Sequence, residues 1–296
     1  MTTLMDVDYA RYVLNFERIE LALLQGQKWR IHYQMKCSHL SPKGCELHGS
    51  DKKPMVCTDY NPYQCFYKRI FHSDEQPSYV RFNAERFNIF AKQIEFDEHR
   101  RIVNMPDIST LFGELPLIEP IPEPTDSLPD FLSVSEANNH SDRGLPMNEE
   151  ELRAQSCKGC SAWCCTRLLF PQPVPQWLSS IDHQRFLLGF PGVSLGYSST
   201  GWTVVVQSRC RHLRAITRDG SACAIFGQDE RPITCRQLSA IGCAYRYRFE
   251  QKNPPDFVHV DAHHLEEIAT LYRFDTHGAI VNAPSASEIR AICLQT

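Results

Sequence analysis

Apolar and polar residues alternate along residues 29–35 and again along residues 202–206. A period of two predicts strands that bury one face. Apolar residues at helical spacing follow in residues 82–95 and 260–273, and they predict two amphipathic helices. Strands and helices therefore come in the same order twice, without the regular strand-helix alternation of a parallel sheet. This order is typical of the α+β class.

The predicted elements recur because the sequence itself recurs. Residues 29–40 align with residues 202–213, and five of these twelve positions are identical. Residues 45–106 align with residues 223–284 without a gap, and nineteen of these 62 positions are identical. About one identity in sixteen is expected by chance for ordinary composition, so the alignment predicts an internal duplication of domain size.

The duplication divides the chain into two copies and a linker. The first copy, residues 1–106, and the second copy, residues 152–296, each begin with a predicted helix, since residues 8–16 resemble residues 182–190. Residues 107–151 are rich in Pro, Asp and Glu, which predicts an extended linker. Duplicated units often keep the surface by which their ancestors associated. We therefore expect the copies, called the first and second half below, to pack about a pseudo-twofold axis.

Composition and charge exclude several partners. The chain is 42% hydrophobic and 22% charged, and its formal charge of -4 offers no basic surface to nucleic acid or to an anionic membrane. It begins without the basic and then apolar pattern of a secretory leader, and no apolar run approaches the length of a membrane span. We expect a cytoplasmic protein that binds neither nucleic acid nor membrane.

Thirteen cysteines add chemistry to this picture. Structural disulfides do not persist in a reducing compartment, so clustered thiols in a cytoplasmic protein indicate metal binding or catalysis. Cys293 stands alone and is expected to pack as a small apolar residue. The other twelve, the predicted metal ligands, form three groups: Cys37, Cys45, Cys57 and Cys65; Cys157, Cys160, Cys164 and Cys165; Cys210, Cys223, Cys235 and Cys243.

The first and third groups share their spacing. Eleven residues separate the second cysteine of each group from the third, and seven separate the third from the fourth. Four thiolates held by such loops suit a tetrahedral zinc site or an iron-sulfur cluster. His39 and His212 follow the first cysteine of each group by two residues. We expect neither to be a ligand, because four sulfurs already complete a site.

The middle group has a more specific pattern, CxxCxxxCC, in residues 157–165. Farther along the chain, Arg231 and Pro232 come shortly before Cys235. With these features the second half, from residue 157 to about residue 246, resembles the bacterial YkgJ-like cysteine-cluster family, described as chelating zinc or iron. All eight cysteines of the family pattern are matched. The first half matches its later part and has no CxxCxxxCC segment.

The resemblance implies a cytoplasmic protein that binds metal ions, as zinc or as an iron-sulfur cluster, through clustered cysteine thiolates. The same signature also resembles that of flagellin lysine N-methylases, which implies an iron-sulfur enzyme of protein modification. A zinc-stabilised module that binds a protein partner is a third alternative. Whether the chain is an enzyme stays open, because no catalytic triad, phosphate-binding loop or paired-carboxylate motif is recognisable.

Two arrangements of the ligands are open. In the first, each group of four forms its own site, which gives up to three centres. In the second, the two second-half groups share ligands, and the first-half group is a remnant that binds metal poorly. We expect the function to require Cys157, Cys160, Cys164 and Cys165 and the first-half group to contribute mainly stability, because only the second half has the complete pattern.

Overall fold

The computed structural model shows a mixed α+β architecture with several small sheets. None of the helices that it describes is long and apolar enough to cross a membrane. The predicted linker lies outside the described residues, apart from Asp107. The described residues are 1–24, 28–59, 79–107, 162–217, 220–237, 245 and 256–295.

The first half builds a three-stranded antiparallel sheet between two helices. Its elements in chain order are α1 (Leu4–Leu14), β1 (Ile19–Leu24), β2 (Lys28–Tyr33), β3 (Leu40–Ser41), β4 (Gly44–Cys45), α2 (Met55–Thr58), β5 (Tyr79–Phe82), α3 (Ala84–Ala91), β6 (Glu95–Phe96) and β7 (Ile102–Asn104). Strand β1 is central in the order β2-β1-β5, where Leu21 pairs with Ile31 on one side and with Phe82 on the other. The pairs β3-β4 and β6-β7 form separate two-stranded ribbons.

The second half has the same order of elements, with additions at its beginning and end. Its elements are α4 (Trp163–Thr166), β8 (Arg167–Pro171), α5 (Leu178–Leu188), β9 (Val193–Ser198), β10 (Gly201–Gln207), β11 (Leu213–Thr217), β12 (Gly220–Cys223), α6 (Ile233–Gln237), β13 (Val258–Val260), α7 (Ala262–Ala269), β14 (Arg273–Phe274), β15 (Ile280–Asn282) and α8 (Ala286–Cys293). The main sheet has the order β13-β9-β10-β8, so β8 is added beside β10.

The predicted strands and helices are present. Strands β2 and β10 cover most or all of the two alternating segments, and helices α3 and α7 lie within the two predicted amphipathic helices. Both helices are shorter than predicted. Asn83 and Asp261 cap their N termini, because each side chain accepts a hydrogen bond from the backbone N–H three residues later. After each helix the chain turns into a short strand, β6 or β14.

Corresponding turns in the two halves use the same hydrogen bonds. Asp97 Oδ1 accepts the backbone N–H groups of His99 (2.9 Å) and Arg101 (2.8 Å). Asp275 Oδ1 accepts the N–H groups two and four positions later at the same distances. These carboxylates therefore stabilise turns between the ribbon strands.

Helix α1 joins the two halves because it is buried on two faces. Ala10 and Leu14 belong to the first-half core with the main sheet and α3. Tyr12 of α1, and Phe16 just after it, belong to the second-half core. Cys293 also packs in that core and is 8% exposed, as predicted for a cysteine outside the three groups. Apolar burial by one helix thus stabilises both the first half and its contact with the second.

Candidate metal centre

Five cysteine residues line one small cavity in the second half, called the second-half cavity below. It encloses about 30 Å³, which is room for an ion or a water molecule and far less than an organic ligand needs. The cysteines come from separate parts of the chain: Cys164 and Cys165 of α4, Cys210 between β10 and β11, Cys223 at the end of β12, and Cys235 of α6.

Helix α4, which carries two of the cavity cysteines, begins directly after a residue with a strained backbone. Ala162 has a left-handed backbone (φ 60°), which costs energy for a residue with a Cβ. Packing compensates, because Trp163 is 1% exposed and the Arg167 guanidinium lies 4.2 Å from the centre of its ring. The backbone N–H of Cys210 donates to the carbonyl of Cys165 over 2.7 Å. This bond ties the middle cysteine group to the third.

A turn and a short helix present Cys235 to the cavity. The turn contains Gly227 in the left-handed region (φ 78°), where glycine is unstrained. The Arg231 guanidinium donates to the carbonyl oxygen of Cys235 (3.0 Å) and lies over the ring of Phe226 (4.5 Å). The first turn of α6 has a further partner in the carboxylate of Asp8, which belongs to the first half. Residues of both halves therefore determine where Cys235 lies.

Two other first-half side chains, Tyr12 and Asn15, line the cavity itself. The Tyr12 hydroxyl donates to the carbonyl oxygen of Cys164 (2.9 Å). Asn15 Oδ1 lies 3.3 Å from Nε2 of His212. Burial lowers the pKa of His212, so the ring is neutral at pH 7 and its Nε2–H can donate to the amide oxygen. That His212 is not a ligand stays a prediction.

Two of the cavity cysteines, Cys210 and Cys235, have thiols that resist ionisation. Burial raises the pKa of Cys210 to about 11, and the neighbouring sulfurs of Cys223 and Cys164 add to the shift. Burial also raises the pKa of Cys235, and Cys164 and Cys210 contribute there as well. Mutual effects of this kind arise between groups that lie close together. At neutral pH these two thiols are protonated, so metal binding through them would release protons.

Three cysteines of the first group form a similar neighbourhood, the first-half cysteine region. Burial raises the pKa of Cys57, and the nearby sulfurs of Cys37 and Cys45 add to the shift. The second half borders this region too. A Cβ placed on Gly189, just after α5, would lie 3.5 Å from Cys37 Sγ. The backbone N–H of Ser38 donates to the Gly189 carbonyl over 2.8 Å.

The donor set of the second-half cavity fits a soft metal, although its sulfurs do not already form a coordination sphere. Among the residues that the structure describes, no three His, Cys, Asp or Glu side chains stand in a geometry that could hold an ion as they are. Rotation about its Cα–Cβ bond moves a cysteine sulfur with no backbone movement. Four predicted ligands lie outside the described residues: Cys65, Cys157, Cys160 and Cys243.

The cavity unites two cysteine groups that are separate in the sequence. Members of the middle group and of the third group line the same wall. This favours the arrangement with shared ligands over two self-contained sites in the second half.

Sequence reasoning missed the first-half side of this cavity. Asp8, Tyr12 and Asn15 precede every cysteine in the chain, and nothing in their local sequence indicates a site. The similarity of residues 8–16 to residues 182–190 was an available signal for Asp8, because an aspartate, Asp182, occurs at the corresponding helix position.

Comparison of the chain with protein-family models, with curated proteins and with solved structures finds no significant match. The resemblance to the YkgJ-like group therefore depends on the cysteine pattern alone.

Proposed function

We propose that this protein binds metal through cysteine thiolates and that its principal centre is the second-half cavity. The observation that carries the proposal is the convergence of five cysteine residues, from distant parts of the chain, on one cavity of ionic size. A core of inert cysteines would not require them to meet in one place. Soft sulfur donors select zinc or iron-sulfur clusters over hard cations.

Cys164, Cys165, Cys210, Cys223 and Cys235 are the described residues that would hold the metal. A bound ion would supply cross-links between segments that otherwise depend on a few hydrogen bonds, so binding would add to folding stability. The small volume supports an ion-binding function over an enzyme site for an organic substrate.

Anaerobic purification followed by metal analysis and an absorption spectrum tests the proposal. We expect bound zinc in a colourless protein, or bound iron with a brown thiolate-to-iron charge-transfer band. Cys223→Ser should lose metal because it removes a cavity thiol. Cys293→Ala is the control, since Cys293 packs in the second-half core and does not line the cavity. Protein that holds neither metal, or Cys223→Ser protein with full metal content, would contradict the proposal.

We also infer that the halves arose by duplication and are related by a pseudo-twofold axis. The sequence identities support this, as do the matching turns at Asp97 and Asp275. Superposition of residues 29–106 on residues 202–284 in an experimental structure is the check. Different strand topologies in the two halves would refute it. A cytoplasmic location is part of the same proposal, because the cysteines of the described residues are free thiols.

A further inference from the structure

We infer that each cysteine region is completed by a helix of the opposite half, α1 for the second-half cavity and α5 for the first-half cysteine region, and that Asp8 is the residue that positions Cys235 in the second-half cavity. That this positioning serves metal binding rests on the proposed function. The dependence of each cysteine region on the opposite half does not rest on the proposed function.

Asp8 accepts three hydrogen bonds from the second half. Its Oδ1 accepts the backbone N–H of Ile233 (2.8 Å), and its Oδ2 accepts both the N–H and the hydroxyl of Thr234 (2.8 and 2.9 Å). These donors form the first turn of α6, immediately before Cys235. The Asp8 side chain is buried, with the residue 4% exposed. A carboxylate is stable in such a place when hydrogen bonds replace its water, and here α6 supplies them.

The same face of α1 continues to the cavity wall. Asp8, Tyr12 and Asn15 follow one another at spacings of four and three residues, which places them on one side of the helix and its end. Tyr12 holds the carbonyl of Cys164, and Asn15 meets the ring of His212. One helical face of the first half therefore contacts the backbone or neighbours of several second-half cysteines.

A corresponding contact joins the second half to the first-half cysteine region. Asp182 of α5, which is 6% exposed, accepts the backbone N–H of Met55 at the start of α2, the helix that carries Cys57. Asp182 corresponds to Asp8 in the alignment of the two first helices. Two buried aspartates thus make matching contacts in opposite directions, which a chance packing contact would not require.

Site-resolved alkylation of the full-length chain tests this crossed dependence. Iodoacetamide labelling after chelator treatment is followed in time by mass spectrometry at Cys57 and Cys235. Asp8→Ala should speed labelling of Cys235 about tenfold, because α6 loses hydrogen bonds to a charged acceptor, and should leave Cys57 within about twofold. Asp182→Ala should do the reverse. Equal acceleration at both cysteines, acceleration confined to the mutated half, or no change would each overturn the inference.

A milder variant distinguishes a local effect on Cys235 from a general loss of folding. Thr234→Val removes one hydroxyl bond to Asp8 and keeps the backbone bonds, so Cys235 should be labelled about threefold faster and Cys57 at the wild-type rate. An unchanged rate at Cys235, or equal acceleration at Cys57, would contradict the role given to Asp8.

Cobalt(II) titration separates the inference from the proposed function. The charge-transfer absorbance of cobalt bound to thiolates should weaken in Asp8→Ala more than in Asp182→Ala. Crossed labelling without any cobalt-thiolate absorbance in the wild type would support the positioning and refute the metal site. Normal cobalt binding without crossed labelling would refute the positioning and leave the metal site standing.

Discussion

The second-half cavity and the first-half cysteine region receive different side chains from the helix of the opposite half. Helix α1 brings Tyr12, with its hydroxyl, and the segment after it brings Asn15, with its amide. At the corresponding positions α5 has Phe186 and the chain after it has Gly189, neither of which carries a polar side chain. Tyr12 and Asn15 thus have no polar counterpart at the two matching positions beside the first-half cysteine region.

The buried aspartates, in contrast, occur on both sides. Asp8 and Asp182 each accept backbone hydrogen bonds from the short helix that carries a cysteine of the opposite half. The comparison separates two roles: the aspartates hold the halves together, whereas Tyr12 and Asn15 belong to the second-half cavity in particular. This division agrees with the proposal that the second half carries the principal centre.

The largest expected effect is on metal content. Cys210→Ser and Cys37→Ser change the first cysteine of the third and of the first group. We expect Cys210→Ser to retain less than about half of the wild-type metal, because it removes a cavity thiolate, and Cys37→Ser to retain nearly all of it. Metal analysis of the purified variants measures this. Equal losses would mean that the two regions contribute alike, contrary to the comparison.

Next in size is the stability contributed by the aspartates. Asp8→Ala leaves three donors of α6 without their acceptor, which should lower the free energy of unfolding by about 4 kcal/mol. Asp182→Ala removes the bond from Met55 N and should cost about 2 kcal/mol. Urea unfolding of both variants measures the difference. A larger loss for Asp182→Ala would reverse the order predicted from the hydrogen bonds.

A third effect depends on pH and concerns the corresponding strands β2 and β10. His32 of β2 corresponds to Val205 of β10. Burial, with help from Arg81 and Arg30, lowers the pKa of His32 from 6.5 to about 4. Between these values the unfolded chain binds the extra proton, so stability is complete above pH 6.5 and falls, by about 3 kcal/mol, as the pH drops towards 4.

His32→Val, which gives β2 the residue of β10, should remove this part of the pH dependence. Urea unfolding at pH 7 and at pH 4.5 tests the change in both proteins. The prediction fails if the variant loses as much stability as the wild type between the two pH values.

The smallest expected effect comes from one hydroxyl. Tyr12→Phe gives α1 the residue type of Phe186, and it removes the hydroxyl that donates to the Cys164 carbonyl and lies 3.1 Å from the Tyr245 hydroxyl. We expect a loss of about 1 kcal/mol in unfolding free energy and faster alkylation of Cys164. Phe186→Tyr is the reciprocal variant and should leave Cys37 labelling unchanged. An unaltered Cys164 in Tyr12→Phe would show that the hydroxyl does not orient that segment.

Much of the local structure could be predicted from the sequence because its causes are local. Alternating residues around Trp202 produced β10, and helical spacing produced α7. Their ends were harder to predict, since capping by Asp261 competes with the apolar pattern that continues past the helix.

The sequence also predicts the chemistry of the site, because thiols at repeated spacing are uncommon unless something binds them. The sequence by itself determined that twelve cysteines fall into three groups of four, and that one spacing occurs twice with one incomplete copy.

Tertiary structure decided which cysteines share a cavity and which helix closes it. Cys165 and Cys210 meet through a backbone bond between segments far apart in the chain. Asp8 reaches α6 only because α1 buries one face in each half. Contacts of this kind depend on the packing of whole elements, and no short pattern records them, since an aspartate in an exposed helix has the same local sequence as one that is buried against a partner.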